Sequence, residues 1–160
     1  MAMRKNSGFT LYELLAVIGI MAVLSAITIP NFIGWLPKYR LASAARNLLS
    51  AMQYARLMAV KENVNILVNF DPGNNNYRIF ADYDSDNNQD ADEPTIRRGK
   101  MPAGVSITGT NFAGDRLKFN SRGLAAGTGG TISIANILSD LSKIRINRTG
   151  NCRILGDGEK

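Results

Sequence analysis

The chain has 160 residues, 45% of them hydrophobic, which is enough for one globular core and an appendage. It contains no histidine, which excludes a histidine general base, a Ser-His-Asp triad and histidine-ligated metal sites, and its single cysteine excludes an internal disulfide. The formal net charge of +6 permits attraction to anionic surfaces such as lipid head groups or nucleic acid, without identifying either.

The first predicted element is an apolar run over residues 9–29, which follows a short leader that carries Arg4 and Lys5. About 20 apolar residues cross a membrane, and a basic leader before an apolar run is also typical of a secretory signal. Glu13 argues against both an ordinary anchor and an ordinary signal. A carboxylate deep in a bilayer costs at least ~2.5 kcal/mol, and neither kind of segment has a use for it.

A carboxylate inside the membrane needs a partner, and a cut after Gly8 would create one. Phe9 would then carry a protonated α-amine one helical turn before Glu13, or offer that amine to Glu13 of a neighbouring copy. The pair is tolerable in a low-dielectric environment, although each charge alone is costly. Glu13 is therefore predicted to be an assembly residue.

The stretch "GFTLYE", from Gly8 to Glu13, resembles the processing site of type IV prepilins and type II secretion pseudopilins. The resemblance implies that residues 1–8 are a prepilin leader, that a prepilin peptidase cuts between Gly8 and Phe9, and that Phe9 is N-methylated. It implies that Glu13 registers a new subunit against a growing filament. It further implies a single pass through inner-membrane lipid, a periplasmic C-terminal domain and, after assembly, a periplasmic or cell-surface filament.

The second half of the predicted helix, residues 30–62, is amphipathic. Its apolar residues follow a 4-3-4-3-4 spacing, which lines one stripe of an α-helix. They are Leu41, Ala45, Leu48, Met52, Ala55 and Ala59. The stripe is predicted to pack on the sheet that follows, and a seam against other helices of a filament is the alternative.

Residues 63–160 are predicted to form a β-rich domain, because turn-forming clusters separate short apolar segments. Strands are predicted at residues 65–70, 77–83, 96–100, 105–108, 116–119, 131–135, 143–147 and 152–155. The clusters "DPGNNN" and "RTGN" predict hairpins. No βαβ alternation is present, so the predicted fold class is α+β: a long N-terminal helix packed on an antiparallel β-sandwich or sheet.

Three stretches narrow the resemblance to the GspH/FimT branch of the pilin-like proteins. They are "AARNLLSAMQYARLMAVKENVNILV", "LKFNSRGLAAGTGGTISIA" and "KIRINRTGNCRIL". This branch contains pseudopilin H of type II secretion and the FimT and FimU minor pilins. It implies a structural subunit that starts or caps a type IV pilus or a pseudopilus, with other pilin subunits as partners. No nucleophile–base pairing stands out, so no enzyme is predicted.

An acidic segment, "DYDSDNNQDADE", has the ligand spacing of a calcium loop. Its acids occupy positions 1, 3, 5, 9 and 12 of an EF-hand loop; they are Asp82, Asp84, Asp86, Asp90 and Glu93. Asn87 replaces the usual glycine at position 6. A predicted strand precedes the segment and Pro94 follows it, so a calcium site here would be a hairpin-tip loop and not an EF-hand. A solvated acidic turn is the alternative.

The last predicted hairpin is basic and carries Lys143, Arg145, Arg148 and Arg153. Such a patch is sufficient for attraction to DNA phosphates. Some FimT-type proteins are linked to DNA capture through a G-R-x-R motif near the C-terminus. The corresponding residues here run from Gly150 to Arg153, with Asn151 in place of the first arginine. A pilus-tip DNA-binding protein is therefore the alternative function, and a solvated basic face is the simpler explanation.

Cys152 is predicted to be a buried free thiol.

Overall fold

The computed structural model describes residues 9–156, with the backbone alone at residues 30 and 31. Gly8, the first residue of the predicted cleavage site, lies outside the described residues. One α-helix, α1 (Leu11–Glu62), precedes eight strands. The chain divides after Leu36 into two compact units, which are described separately below.

The first unit contains the N-terminal part of α1. Thr10 caps this helix: its hydroxyl oxygen accepts a hydrogen bond from the Glu13 amide at 3.2 Å, and its carbonyl oxygen accepts one from the Leu14 amide at 3.2 Å. Residues Leu11–Ile29 are long and apolar enough to cross a membrane, with a mean hydropathy of 2.1, and none of them is buried. An exposed helix that is apolar on all sides is typical of a membrane span.

The second unit contains the rest of α1 and two four-stranded sheets. The strands are β1 (Asn65–Asp71), β2 (Asn76–Asp82), β3 (Thr95–Lys100), β4 (Val105–Thr110), β5 (Arg116–Phe119), β6 (Gly129–Asn136), β7 (Leu141–Asn147) and β8 (Cys152–Ile154). A short 3₁₀ helix, Ala113–Asp115, precedes β5. The first sheet has the order β3-β2-β1-β5 and the second sheet β4-β6-β7-β8. Every neighbouring pair is antiparallel, as the sequence predicts.

Both predicted hairpins are present. β1 pairs with β2 around the "DPGNNN" turn, and β7 pairs with β8 around "RTGN". The second turn requires glycine at position 150, where φ is +75°. A Cβ atom on Gly150 would also lie against the backbone carbonyl oxygen of Gly123. The turn therefore leaves no room for any other residue.

The core of the second unit combines α1 with the inner faces of both sheets. All six residues of the predicted stripe are buried, which confirms that the stripe packs on the sheets. Ile66 and Val68 of β1 and Ile144 and Ile146 of β7 belong to the same apolar cluster. A buried aliphatic side chain contributes roughly 1.5–3 kcal/mol, so this cluster is the main source of the domain's stability.

Cys152 lies at the start of β8 and is buried, as predicted. Burial raises the pKa of its thiol to about 11, although the nearby Arg56 guanidinium acts in the opposite direction. The thiol therefore behaves as a small apolar side chain at physiological pH.

Truncating the helix stripe should destabilise the domain. Leu48→Ala is expected to lower the free energy of unfolding by about 2–5 kcal/mol, because Leu48 is fully buried and its removal leaves a cavity. Leu57→Ala is the matched control on the same helix: Leu57 is 62% exposed, and a change below about 0.5 kcal/mol is expected. Urea unfolding of the full chain in detergent, followed by circular dichroism, measures both. Equal losses would contradict the described packing.

Cys152 should resist alkylation in the folded protein. A pKa of about 11 leaves roughly a hundredfold less thiolate at pH 8 than a pKa of 9 would, and burial restricts access further. Labelling with a maleimide, followed by mass spectrometry, is expected to be slow for the folded chain and fast in urea. Rapid labelling of the folded chain would show that Cys152 is accessible.

Candidate functional site

The N-terminal helix places Glu13 in its first turn, with its side chain exposed among apolar neighbours. A carboxylate in the first turn is favoured by the partial positive charge of the helix N-terminus. Phe9 is 85% exposed and precedes the helix. Further along the span, the Thr28 hydroxyl donates a hydrogen bond to the Leu24 carbonyl oxygen at 2.8 Å, so this polar group is satisfied within the helix itself.

The acidic loop, residues 83–94, joins β2 to β3 and lies over the outer face of the first sheet. Arg116 of β5 donates a hydrogen bond to the Asn87 carbonyl oxygen at 2.8 Å, and Asn65 of β1 donates one to the Ser85 hydroxyl at 2.8 Å. Leu67 and Phe80 are paired across this outer face and are buried. Contacts with two strands therefore hold the loop in place.

Asp82 and Lys118 form an ion pair beneath the loop. The Lys118 ammonium lies 3.1 Å from Asp82 Oδ2 and also donates a hydrogen bond to Asn87 Oδ1 at 3.0 Å. Asp82 is 1% exposed, and its second oxygen, Oδ1, is buried without a hydrogen-bond partner. A buried ion pair is stabilising only when its remaining polar atoms are also satisfied. A hydrogen-bond donor or a cation beside Oδ1 would therefore stabilise the folded domain.

Glu93 closes the acidic loop. Its carboxylate accepts a hydrogen bond from the Tyr83 amide at 2.7 Å through Oε1 and one from the Asp90 amide at 3.1 Å through Oε2. Glu93 is 5% exposed, so these bonds satisfy a buried charge. The side chain therefore joins the two ends of the loop.

The five predicted calcium ligands are only partly brought together. Carboxylate oxygens of Asp82, Asp84 and Asp86 lie within 4.8 Å of one another. Among the residues that the structure describes, Asp90 and Glu93 are outside this group. Asn87, at the position where an EF-hand loop has glycine, adopts a left-handed conformation with φ of +68°.

Two exposed carboxyl groups of the loop have shifted pKa values. Hydrogen bonds from the amide and side chain of Asn88 lower the pKa of Asp86. Repulsion from Asp86, together with weaker effects of other acids in the loop, raises the pKa of Asp90. The raised pKa of Asp90 therefore reflects the crowding of like charges, whereas the lowered pKa of Asp86 reflects its hydrogen bonds.

Sequence reasoning did not find Lys118 or the structural role of Glu93. Lys118 reaches the loop because β5 pairs with β1, where Leu67 is opposite Lys118. That pairing joins residues 51 positions apart along the chain. The spacing of the acids was a visible signal, but it contained no information about which cation lies beside them.

The basic residues occupy the outer face of the second sheet. Lys143 and Arg145 alternate with buried Ile144 and Ile146, and Arg153 lies directly opposite Arg145 in the β7–β8 ladder. We call Lys143, Arg145 and Arg153 the basic face. Arg148 is exposed in the adjoining turn. None of the four strands of this sheet contains an Asp or Glu.

Two family models match the chain. The model described as "Type II transport protein GspH" matches residues 44–150, and the one described as "Prokaryotic N-terminal methylation motif" matches residues 3–29. No curated protein matches the sequence.

Several solved structures resemble the fold, among them a minor pilin and a minor pseudopilin. The type IV minor pilin FimU of Pseudomonas aeruginosa aligns with a TM-score of 0.62 at 20% identity, over 76% of this chain and 92% of FimU. The minor pseudopilin EpsH from the type 2 secretion system of Vibrio cholerae aligns with a TM-score of 0.58 at 15% identity, over 75% of this chain and 99% of EpsH. At these identities, the alignments establish a shared pilin-like fold.

The GspH model matches the part of the chain that contains the C-terminal part of α1 and seven of the eight strands, and the methylation motif matches the apolar N-terminus. The chain therefore belongs to the GspH family of pilin-like proteins, which are structural pilin or pseudopilin subunits and not enzymes.

Proposed function

We propose that this chain is a minor subunit that starts or caps a type IV pilus or a type II secretion pseudopilus. The observation that supports this proposal most directly is Glu13, a carboxylate in the first turn of an exposed apolar helix of membrane-spanning length. Family membership and the resemblance to a minor pilin and a minor pseudopilin support this function.

The proposal includes processing and location. A prepilin peptidase cuts between Gly8 and Phe9, and the new N-terminus is methylated; the methylation-motif match over residues 3–29 supports this step. Residues 9–29 then cross the inner membrane and hold the C-terminal domain in the periplasm. The cut creates a cation at Phe9, which pairs with Glu13 of the same or a neighbouring subunit inside the bilayer.

The Glu13 amide donates a hydrogen bond to the Thr10 hydroxyl, so the helix start does not need the Glu13 side chain as a cap. The carboxylate can therefore pair with a cation. An unpaired carboxylate in hydrocarbon is costly, whereas pairing with an ammonium group offsets much of that cost. A pair formed between neighbouring subunits therefore favours assembly over the isolated subunit in the membrane.

Replacing Glu13 should separate assembly from insertion. Glu13→Gln removes the charge at nearly constant size, and we expect normal insertion and cleavage with about tenfold or more reduced incorporation, because the Phe9 amine loses its partner. Glu62→Gln is the matched control, since Glu62 is at the other end of the same helix and pairs with Lys61 at 3.0 Å. Immunoblots of membrane and sheared-filament fractions measure incorporation, and intact mass spectrometry measures cleavage and methylation. Normal incorporation of Glu13→Gln would refute the pairing.

DNA binding at a pilus tip is the second candidate function. The observation that favours it is the basic face, which places Lys143, Arg145 and Arg153 on the outer face of a sheet whose four strands contain no Asp or Glu. Surface cations grouped in this way attract the phosphates of a polyanion. The departure at Asn151 from the G-R-x-R pattern weighs against DNA binding through that motif, so the proposed contact depends on charge alone.

A charge-matched pair of variants tests this candidate. Replacing Arg145, Arg148 and Arg153 with Ala should weaken duplex binding and reduce the slope of log K against log salt by about 2.7 if each contacts one phosphate. Replacing Arg97, Arg98 and Lys100 on β3 removes the same charge from the other sheet and should have a smaller effect. Fluorescence anisotropy of labelled duplex with the full chain in detergent measures both. No binding at low salt, or equal losses in the two variants, would exclude the basic face as a DNA site.

A further inference from the structure

We propose that Asp82, Asp84 and Asp86 bind a calcium ion where β2 enters the acidic loop. The site is separate from the N-terminal helix, and it does not depend on whether the subunit assembles into a filament. It uses three of the five residues that the spacing predicts. Asp90 and Glu93 have no ligand role in it, because Glu93 already bonds two backbone amides and Asp90 lies outside the group.

The three carboxylates are close enough to share one ion. Their oxygens lie within 4.8 Å of one another. Three atoms with this spacing fit inside a circle of about 2.8 Å radius, and calcium–oxygen distances are about 2.3–2.6 Å. Only a small contraction is required for calcium. Magnesium requires near-ideal octahedral geometry at about 2.0–2.1 Å, whereas calcium accepts irregular sets of carboxylate oxygens, so a site formed by a loop favours calcium.

Asp82 supplies an independent reason to expect a ligand. Its Oδ1 atom is buried without a hydrogen-bond partner, although Asp82 is 1% exposed. Lys118 contacts the other oxygen, Oδ2, at 3.1 Å. A buried carboxylate oxygen that lacks a donor or a cation is costly. A calcium ion held between Asp82 and the exposed Asp84 and Asp86 would satisfy it.

The charge of the segment supports a divalent ion. Between residues 82 and 93 the chain carries six acids and no Lys or Arg. Lys118 and Arg116 of β5 and Arg78 of β2 contact the segment and offset three of the six negative charges. A bound Ca²⁺ would offset two more, at the place where three carboxylates are closest together.

Calcium at this position would stabilise the domain by fixing the loop. Asp82 belongs to β2, whereas Asp84 and Asp86 belong to the loop that lies over Leu67 and Phe80. An ion that binds all three residues therefore connects the loop to the sheet. Because the ion binds the folded domain, its effect is a higher melting temperature in calcium than in chelator.

The test uses the full chain in detergent, titrated with CaCl₂ in a calorimeter and melted in CaCl₂ or in EGTA. We expect saturable binding, and a rise in melting temperature of about 5 °C or more when calcium is at ~100 times its dissociation constant. Asp84→Asn with Asp86→Asn should abolish the rise. Asn retains one acceptor oxygen, so the turn bonds to the Asp86 and Asn88 amides can persist in this variant.

Asp92→Asn is the matched control, because Asp92 is an exposed acid of the same loop outside the group of three. It should keep the full calcium response. Lys118→Met removes the ion-pair partner of Asp82 and should make the melting temperature depend more strongly on calcium than in the wild type. The proposal is overturned if calcium leaves the wild-type melting temperature unchanged, if the double variant responds as the control does, or if magnesium produces an equal shift.

Discussion

The packing of the helix stripe against both sheets is the interaction on which the C-terminal domain depends. Five alanines of α1 are buried in this core: Ala44, Ala45, Ala51, Ala55 and Ala59. Alanine has the best helix propensity and the smallest apolar side chain, so it both favours the helix and allows close approach of the strands. The larger residues Leu48 and Met52 fill the remaining space. Without this contact, the inner faces of two sheets would be exposed to water.

Because the inner faces of the sheets are used by the core, the chemistry of the domain is on the outer faces. The acidic loop covers the outer face of the first sheet, and the basic face belongs to the second. This separation keeps six acids of residues 82–93 away from the cations of β7 and β8. The acidic and the basic surfaces therefore belong to different sheets.

The helix α1 contains two kinds of segment, one that is apolar on all sides and one that is amphipathic. In Leu11–Ile29 the apolar residues surround the helix and are exposed, whereas from Leu41 onward one stripe of apolar residues is buried. This change of pattern was readable from the sequence because the helical period relates sequence spacing directly to the helix surface. Strand positions were also predicted well: each observed strand lies within two residues of its predicted ends. The differences at β4 and β6 occur beside glycines, which carry no side chain to mark a strand.

The sequence by itself determined what depends on neighbours along the chain: the apolar span, the amphipathic stripe, the hairpins, the "GFTLYE" motif and the burial of Cys152. Tertiary structure decided what depends on residues that are distant along the chain. The pairing of β5 with β1 brings Lys118 to Asp82, and the folding back of the loop turns Glu93 towards backbone amides. The fold therefore brings three of the five regularly spaced acids together, Asp82, Asp84 and Asp86. Spacing specifies which side chains follow one another, whereas their common partners are specified by strand register and by the need to satisfy buried charges.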